Sequence, residues 1–248
     1  MPTAPDTELI EFENWTLRIR KTTHPAPRLL LMIHGFTGDE NSMWVFGRDL
    51  PSHYWIVAPR APYVAQPNGY SWRPNQSELI GSPTFDMFVP AAEALIKLVD
   101  AYQLSACPEP SRRAGLVPSS IEGLVPSSIE GLDASPERRR RIDVLGFSQG
   151  AAMSNLLAFL YPYRIRKTGI LAGFVPSGLD ELVAKRPLSG KPFFVTHGTQ
   201  DKMVTIDRAR ASIEILERAG ARVTYCEDEV GHKVSLTCLR ALRDFLAE

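Results

Sequence analysis

A serine lies at the centre of the segment GFSQG, at positions 146–150. An apolar run at 142–146 precedes this serine, and an apolar helical pattern at 151–160 follows it. A G-x-S-x-G segment between a buried strand and a buried helix is typical of a tight turn that strains the nucleophile's backbone and leaves no room for nearby side chains. We therefore predict that Ser148 is a nucleophile at a helix N-terminus, where free N–H groups favour developing negative charge. The alternative is a strand-to-helix turn with a buried structural serine.

A serine nucleophile needs a general base, and two of the chain's five histidines, His197 and His232, follow Ser148. The order along the chain for this type of turn is serine, acid, histidine. His197 ends an apolar run directly before a glycine, where its side chain is expected to support a turn. His232 lies between the last predicted strand and the last predicted helix, a connection that should open at the same sheet edge as Ser148. We predict His232 as the base, with an exposed loop histidine as the alternative.

The acid that orients the histidine should lie between Ser148 and His232 in the sequence. Asp201 comes just past the strand before the last one, and we predict that it is this acid. Asp180 follows the preceding strand and remains an alternative. Asp228 lies only four residues before His232, too close in the same loop to approach the ring from behind.

An oxyanion needs two preorganised N–H donors. One should be the backbone N–H of Gln149, directly after the nucleophile. The second should come from the loop after the first central strand, which reads HGFTG at 34–38. Gly35 lets this backbone turn inward, so the N–H of Phe36 is the predicted donor. The alternative is a strand-ending turn with no catalytic part.

These residues need a sheet to position them, and short apolar runs with little alternation predict strands buried on both faces. These runs lie at 29–33, 55–58, 142–146, 169–175 and 192–196. More alternating stretches at 221–226 and 11–20 predict strands near the edges, the latter antiparallel. Helical patterns occupy 88–102, 151–160, 208–219 and 236–246. The alternation predicts an α/β fold with a mostly parallel central sheet and helices on both faces.

One stretch departs from this alternation: GLVPSSIE at 115–122 is repeated without change at 123–130. Two copies of eight residues are too few for a solenoid. We interpret 105–137 as an inserted surface loop, with a functional lid as the alternative. Because the alternation of strands and helices resumes in phase, we predict one domain over 1–248.

The composition excludes several classes of function. The net charge is zero, so electrostatics gives no reason to propose nucleic acid or an anionic membrane as a partner. The three cysteines, Cys107, Cys226 and Cys238, have no C-x-x-C spacing and are odd in number, which argues against a disulfide framework or a zinc site. The N-terminus lacks a secretory signal and no apolar stretch could span a bilayer, so we expect a cytoplasmic protein without an integral membrane segment.

Several motifs occur in an order that resembles the phospholipase/carboxylesterase family, to which acyl-protein thioesterases belong. The motifs are HGFTGDE at 34–40, PRAP at 59–62, GFSQGA at 146–151, HGTQD at 197–201 and GH at 231–232. The resemblance implies an α/β-hydrolase fold without a large cap domain, and hydrolysis of carboxylic esters or thioesters with no cofactor and no metal. It supports the same triad and oxyanion donors. Members of the family often form dimers, so the resemblance also implies a homodimer.

The substrate is expected to be a small-molecule ester or thioester, with an apolar acyl site. Aromatic and sulfur-containing residues in loops near the catalytic edge are candidates for this site, although each could equally be a packing residue. They are Phe36, Trp72, Phe85, Met87, Pro176 and Met203. Alternatives to the esterase are a feruloyl-type esterase or small peptidase of the same fold, and a non-catalytic binding protein on this fold.

Overall fold

The structure is a computed structural model that describes residues 6–74, 83–106 and 141–248. An eight-stranded sheet forms its centre, in the order β1-β2-β4-β3-β7-β8-β9-β10. A separate two-stranded sheet consists of β5 and β6. The strands are β1 (Glu8–Phe12), β2 (Trp15–Arg20), β3 (Arg28–Ile33), β4 (Tyr54–Pro59), β5 (Tyr63–Val64), β6 (Tyr70–Ser71), β7 (Ile142–Phe147), β8 (Ile165–Leu171), β9 (Pro192–Gly198) and β10 (Arg222–Asp228).

Helices cover both faces of this sheet. They are α1 (Trp44–Gly47), α2 (Val89–Ala106) after a 3-10 turn at Phe85–Phe88, α3 (Gln149–Leu160), α4 (Asp180–Ala184), α5 (Ile206–Arg218) and α6 (Leu236–Ala247). Buried residues of α2, α3 and α5 share one apolar cluster, and those of α1 and α6 share another with the opposite side chains of the strands. None of the helices in the described ranges is long and apolar enough to span a membrane.

The strand directions bring the predicted site residues to one edge of the sheet. Strands β4, β3, β7, β8, β9 and β10 run parallel, and the antiparallel pairs of this sheet are β1 with β2 and β2 with β4. The chain passes from β3 outward to β4 and then back across to β7, so the strand order reverses beside β3. Ligand sites in open parallel sheets lie outside the carboxyl ends of the strands at such a reversal. The mostly parallel α/β architecture predicted from the sequence is confirmed.

Two strand predictions need correction. The stretch 11–20 is not one edge strand but a hairpin of β1 and β2, which turns at Glu13 with φ 52°. The strand predicted at 169–175 is β8, which begins at Ile165 and ends at Leu171. Its first half was missed because it contains two charged residues. Arg166 pairs with Asp143, and the ammonium group of Lys167 donates to the carbonyl of Phe245. The apolar residues after Leu171 form a buried loop instead.

The prediction about the cysteines was wrong for two of them, because Cys226 and Cys238 form a disulfide. Their Cα atoms are 5.6 Å apart, within the usual range for a disulfide. An odd number of cysteines does not exclude a single pair. The 12-residue separation did not indicate a disulfide, because the two cysteines meet only when α6 packs against β10.

The predicted insert at 105–137 has its first two residues in α2, and the remainder, with the repeat and Cys107, lies outside the described residues.

Candidate active site

Ser148 occupies the turn between β7 and α3, with φ 54° and ψ −115°. Its N–H donates to the carbonyl of Leu171, which fixes the turn against β8. A Cβ atom at Gly146 would lie 2.1 Å from the carbonyl oxygen of Gly150, and one at Gly150 would lie 2.1 Å from that of Ile33. No side chain fits in either space, so both positions require glycine. The strained turn lifts the serine side chain out of the sheet and places it at the start of a 12-residue helix.

The side chains of Ser148, His232 and Asp201 form a continuous row of hydrogen bonds. His232 Nδ1 lies 2.6 Å from Asp201 Oδ2, and His232 Nε2 lies 2.9 Å from Ser148 Oγ. A carboxylate accepts hydrogen bonds, so Nδ1 carries the proton and Nε2 is left to accept from the serine hydroxyl. The ring of Phe147 packs against His232 at a centroid distance of 5.0 Å. The arrangement can remove a proton from the serine and stabilise the imidazolium that results.

Asp201 is completely satisfied by donors and has no exposed side-chain surface. Its Oδ1 accepts from the N–H groups of Met203 (2.8 Å) and Val204 (3.0 Å). Its Oδ2 faces His232 and also lies 3.3 Å from His197 Nε2. The candidate rivals lie elsewhere: Asp180 begins α4, and the carboxylate of Asp228 accepts from the N–H of its neighbour Glu229.

His197 supports the turn that carries the acid, in agreement with its predicted role. Its Nε2–H donates to the carbonyl of Val204 at 2.7 Å, across the turn that contains Asp201. Burial lowers the pKa of His197, which favours the neutral ring. Its Nδ1 is buried and has no hydrogen-bond partner within the described ranges. A neutral His197 therefore holds the acid turn without a positive charge that would compete with His232 for the carboxylate of Asp201.

The two predicted oxyanion donors, the N–H groups of Phe36 and Gln149, belong to neighbouring segments. Gln149 is the first residue of α3, and Gly35, just before Phe36, packs so closely that its Cβ would lie 3.3 Å from Ser148 Cβ. In 6–74, 83–106 and 141–248, no backbone carbonyl accepts a hydrogen bond from either N–H. Unpaired N–H groups next to a nucleophile are suited to hold a developing oxyanion.

A buried histidine, His34, fixes the loop that contains Phe36. Its Nδ1–H donates to the carbonyl of Gly35 at 2.7 Å, and its Nε2 accepts from the N–H of Ala61 at 3.0 Å. Burial lowers the pKa of His34 to about 4. Because both hydrogen bonds use the neutral ring, protonation would break the bond from Ala61. The sequence analysis missed His34 as a positioning residue, although it stands directly before the predicted oxyanion loop.

The pKa of His34 predicts a pH dependence of stability. Between about pH 4 and the value near 6.5 of an unfolded histidine, the unfolded chain binds more protons than the folded one. The contribution of neutral His34 to the unfolding free energy is therefore complete above pH 6.5. It falls by about 3 kcal/mol as the pH decreases towards 4. We expect the stability difference between wild type and His34→Gln, measured by urea unfolding, to narrow by this amount between pH 7 and pH 4. Parallel pH curves for the two proteins would contradict the assignment.

Trp72 was predicted to contact substrate, and this prediction needs correction. Its side chain is 0% exposed, so it offers no surface to a ligand. Instead its Nε1–H donates to the carbonyl of His34 at 2.8 Å, and its backbone N–H donates to Gln149 Oε1 at 2.9 Å. Trp72 thus joins the two segments that hold the oxyanion donors. In the sequence the indole indicated an apolar pocket, whereas in the structure its N–H holds the loop that contains Phe36 in place.

The other predicted pocket residues differ in their surroundings. Phe36, Phe85 and Met87 are half-buried, Pro176 is buried, and Met203 is 74% exposed directly beside the acid turn. The segments of Phe85 and Pro176 pack together, since the N–H of Phe85 donates to the carbonyl of Ser177. The sulfur of Met87 lies 3.6 Å from a guanidinium nitrogen of Arg73, which is itself buried.

A groove that the sequence analysis did not predict lies between α1 and α6, with a volume of about 220 Å³. Its lining residues are Phe46, Asp49, Leu50, Leu236, Leu239, Arg240 and Arg243. The ring of Phe46 lies 5.7 Å from that of Phe147, which in turn packs on His232. An apolar wall therefore runs from the groove to the candidate base.

Among the described residues, no cluster of three or more His, Cys, Asp or Glu side chains could hold a metal ion.

Comparison with known proteins adds a family and a fold. Residues 117–248 match the model of the phospholipase/carboxylesterase family. The chain is 27% identical over 106 residues to carboxylesterase SOBER1 of Arabidopsis thaliana, covering 42% of this chain and 46% of that protein. It is 33% identical over 82 residues to acyl-protein thioesterase 1 of Debaryomyces hansenii, covering 32% and 35% respectively. The matched part is thus less than half the length of these curated relatives.

Solved structures resemble the whole chain more evenly. The carboxylesterase of Bacillus cereus superposes with a TM-score of 0.70 and 16% identity, covering 95% of this chain and 94% of that one. The carboxylesterase of Mesorhizobium loti superposes with a TM-score of 0.69 and 17% identity, covering 98% of this chain and 99% of that one. At this level of identity the likeness shows the fold, and the predicted α/β-hydrolase fold is confirmed.

Proposed function

The chain belongs to the phospholipase/carboxylesterase family, and on this premise we propose that it is a serine esterase acting on carboxylic esters, thioesters among them. The observation that supports the proposal most is the row of hydrogen bonds from Ser148 Oγ through His232 to Asp201. A buried acid, an oriented imidazole and a strained serine beside free N–H groups form the constellation that acyl transfer requires.

In the proposed mechanism, Ser148 Oγ attacks the acyl carbon of the substrate while His232 Nε2 takes its proton. The N–H groups of Phe36 and Gln149 hold the negative charge of the tetrahedral intermediate. His232 then gives the proton to the departing alcohol or thiol, and the acyl group stays on Ser148. Water gives a proton to His232 and attacks the acyl-enzyme, and the acid is released as His232 returns this proton to Ser148 Oγ. Asp201 remains ionised throughout and keeps the imidazole in one tautomer.

The first experiment is the hydrolysis of p-nitrophenyl esters of increasing acyl length. We expect turnover, with kcat/KM rising by up to about fourfold for each methylene group that the site buries, since one buried methylene contributes about 0.8 kcal/mol. The length at which the rise stops measures the acyl site. Acyl thioesters of the same chain lengths, read by thiol release, test the thioester arm of the proposal.

A serine-directed fluorophosphonate provides a second readout that does not depend on choosing the right ester. We expect it to add one phosphonyl group to the protein, located at Ser148 by peptide mass spectrometry. A chain that hydrolyses no ester or thioester and is not labelled at Ser148 would overturn the proposed function. Labelling without turnover would instead identify an activated serine whose substrate lies outside the series.

A further inference from the structure

The disulfide found between Cys226 and Cys238 encloses the segment that carries the candidate base. Cys226 lies in β10 and Cys238 in the first turn of α6, and His232 stands midway between them. The bond thus closes a loop of which the imidazole is the central side chain. A crosslink in this position limits how far the loop can move relative to the sheet.

The half of the loop before His232 is tied to the rest of the site by hydrogen bonds. The N–H of Thr199 donates to the carbonyl of Asp228 at 2.9 Å, and the N–H of Gln200 donates to the carbonyl of Val230 at 3.0 Å. Both donors belong to the turn that also carries the candidate acid. This half of the loop is therefore held at the correct distance from Asp201 by the backbone alone.

The half after His232 has only local bonds. The N–H of Lys233 donates to the carbonyl of Gly231, and Ser235 Oγ caps its own helix through the N–H of Cys238. In the described ranges, no backbone hydrogen bond joins residues 232–235 to another part of the fold. The partly buried side chain of Val234 packs against the apolar cluster of α1 and α6. Apart from this packing and the contacts of the His232 ring itself, the segment depends on whatever holds the start of α6.

The start of α6 is less firmly packed than its end. At the end, Phe245 is buried and its carbonyl accepts from Lys167 Nζ at 2.6 Å. At the start, Leu236 is 74% exposed, whereas Cys238 is buried through its bond to Cys226. Leu239, in the same turn, is only partly buried against the apolar cluster. The disulfide is thus the covalent attachment of the end of α6 that is joined to the His232 segment.

We propose that Cys226 and Cys238 are positioning residues: their bond holds the start of α6 against β10 and so keeps the imidazole of His232 in reach of Ser148 and Asp201. The inference rests on the proposed function. A dithiol reductant provides the test, since it breaks the Sγ–Sγ bond, gives each sulfur a proton and is itself oxidised to a disulfide. The structure then predicts a loop that is free to move and a base that is less often in place.

The experiment compares oxidised, reduced and reoxidised protein in the p-nitrophenyl ester assay, with free thiols counted in each sample after denaturation. We expect reduction to lower kcat and kcat/KM by the same factor, about tenfold or more, because a loosely held base weakens the transition state and not ground-state binding. Reoxidation should restore both constants. Cys226→Ser/Cys238→Ser should behave like reduced wild type and no longer respond to the dithiol, whereas Cys107→Ser should respond as wild type does.

Three results would overturn the inference. The first is three free thiols in protein that has been exposed to an oxidant, which means that the pair does not form. The second is a fully reduced protein whose kcat stays within about twofold of the oxidised value. The third is amide hydrogen exchange over 233–239 that does not accelerate on reduction. The exchange measurement needs no ester turnover, so it tests the attachment even if the proposed function fails.

Discussion

Replacing Ser148 with alanine should lower kcat for ester hydrolysis by roughly 10⁶-fold, the scale of loss when a triad serine or histidine is removed. Alanine lacks the hydroxyl but has the same Cβ, so it can occupy the φ of 54° as serine does, and the fold should be retained. The measurement is initial rate with a short-chain p-nitrophenyl ester, together with the far-UV circular dichroism spectrum and melting temperature. Ser189→Ala is the matched control, because Ser189 is exposed and its hydroxyl bonds only to the carbonyl of Arg186.

The double variant Ser148→Ala/His232→Ala makes this prediction sharper. If the two side chains act as one unit, the double variant should be about as slow as either single variant. Losses that multiply would mean that the two residues contribute independently, which contradicts a shared proton transfer. A Ser148→Ala protein with a melting temperature and turnover near those of wild type would place the nucleophile elsewhere.

The strained turn at Ser148 could be predicted because its causes lie within a few residues of each other. Glycine is required at 146 and 150 because a Cβ atom at either position would lie 2.1 Å from a carbonyl oxygen. For Gly146 that oxygen belongs to Gly150, within the motif itself. That Ser148, Asp201 and His232 lie at the same edge of the sheet follows from the alternation of strands and helices, because the carboxyl ends of parallel strands share one edge. Local sequence and a regular topology therefore suffice for these residues.

The features that were missed depend on contacts between distant segments. Trp72 was assigned to a pocket because its type fits one, but its indole N–H meets a carbonyl of the oxyanion loop far away in the sequence. Cys226 and Cys238 meet only when α6 folds back along β10. The start of β8 was hidden by Arg166, whose charge looks exposed in the sequence and is in fact paired with Asp143. In each case a polar or sulfur group finds its partner across the fold, which periodicity cannot reveal.

Replacing Asp201 with asparagine should lower kcat by about 10⁴-fold, although the two side chains have nearly the same shape. Oδ1 of Asp201 accepts from the N–H groups of Met203 and Val204, so the asparagine carbonyl must take this position. The new NH₂ group then points towards His232 Nδ1, which carries a proton in the wild type, and lies near His197 Nε2, whose N–H already donates to Val204. His232 can satisfy the amide only by moving its proton to Nε2, and in that tautomer it can no longer take a proton from Ser148.

The controls for this prediction are the two other carboxylates considered for the role. Asp180→Asn and Asp228→Asn should keep kcat within about twofold of wild type, since neither side chain reaches the imidazole. A 10⁴-fold loss in either control with full activity in Asp201→Asn would reassign the acid.

The ¹⁵N chemical shifts of the His232 ring supply an independent readout, because they distinguish the two neutral tautomers. They should report a proton on Nδ1 in wild type and on Nε2 in Asp201→Asn, and the same tautomer in both would contradict this explanation of the loss.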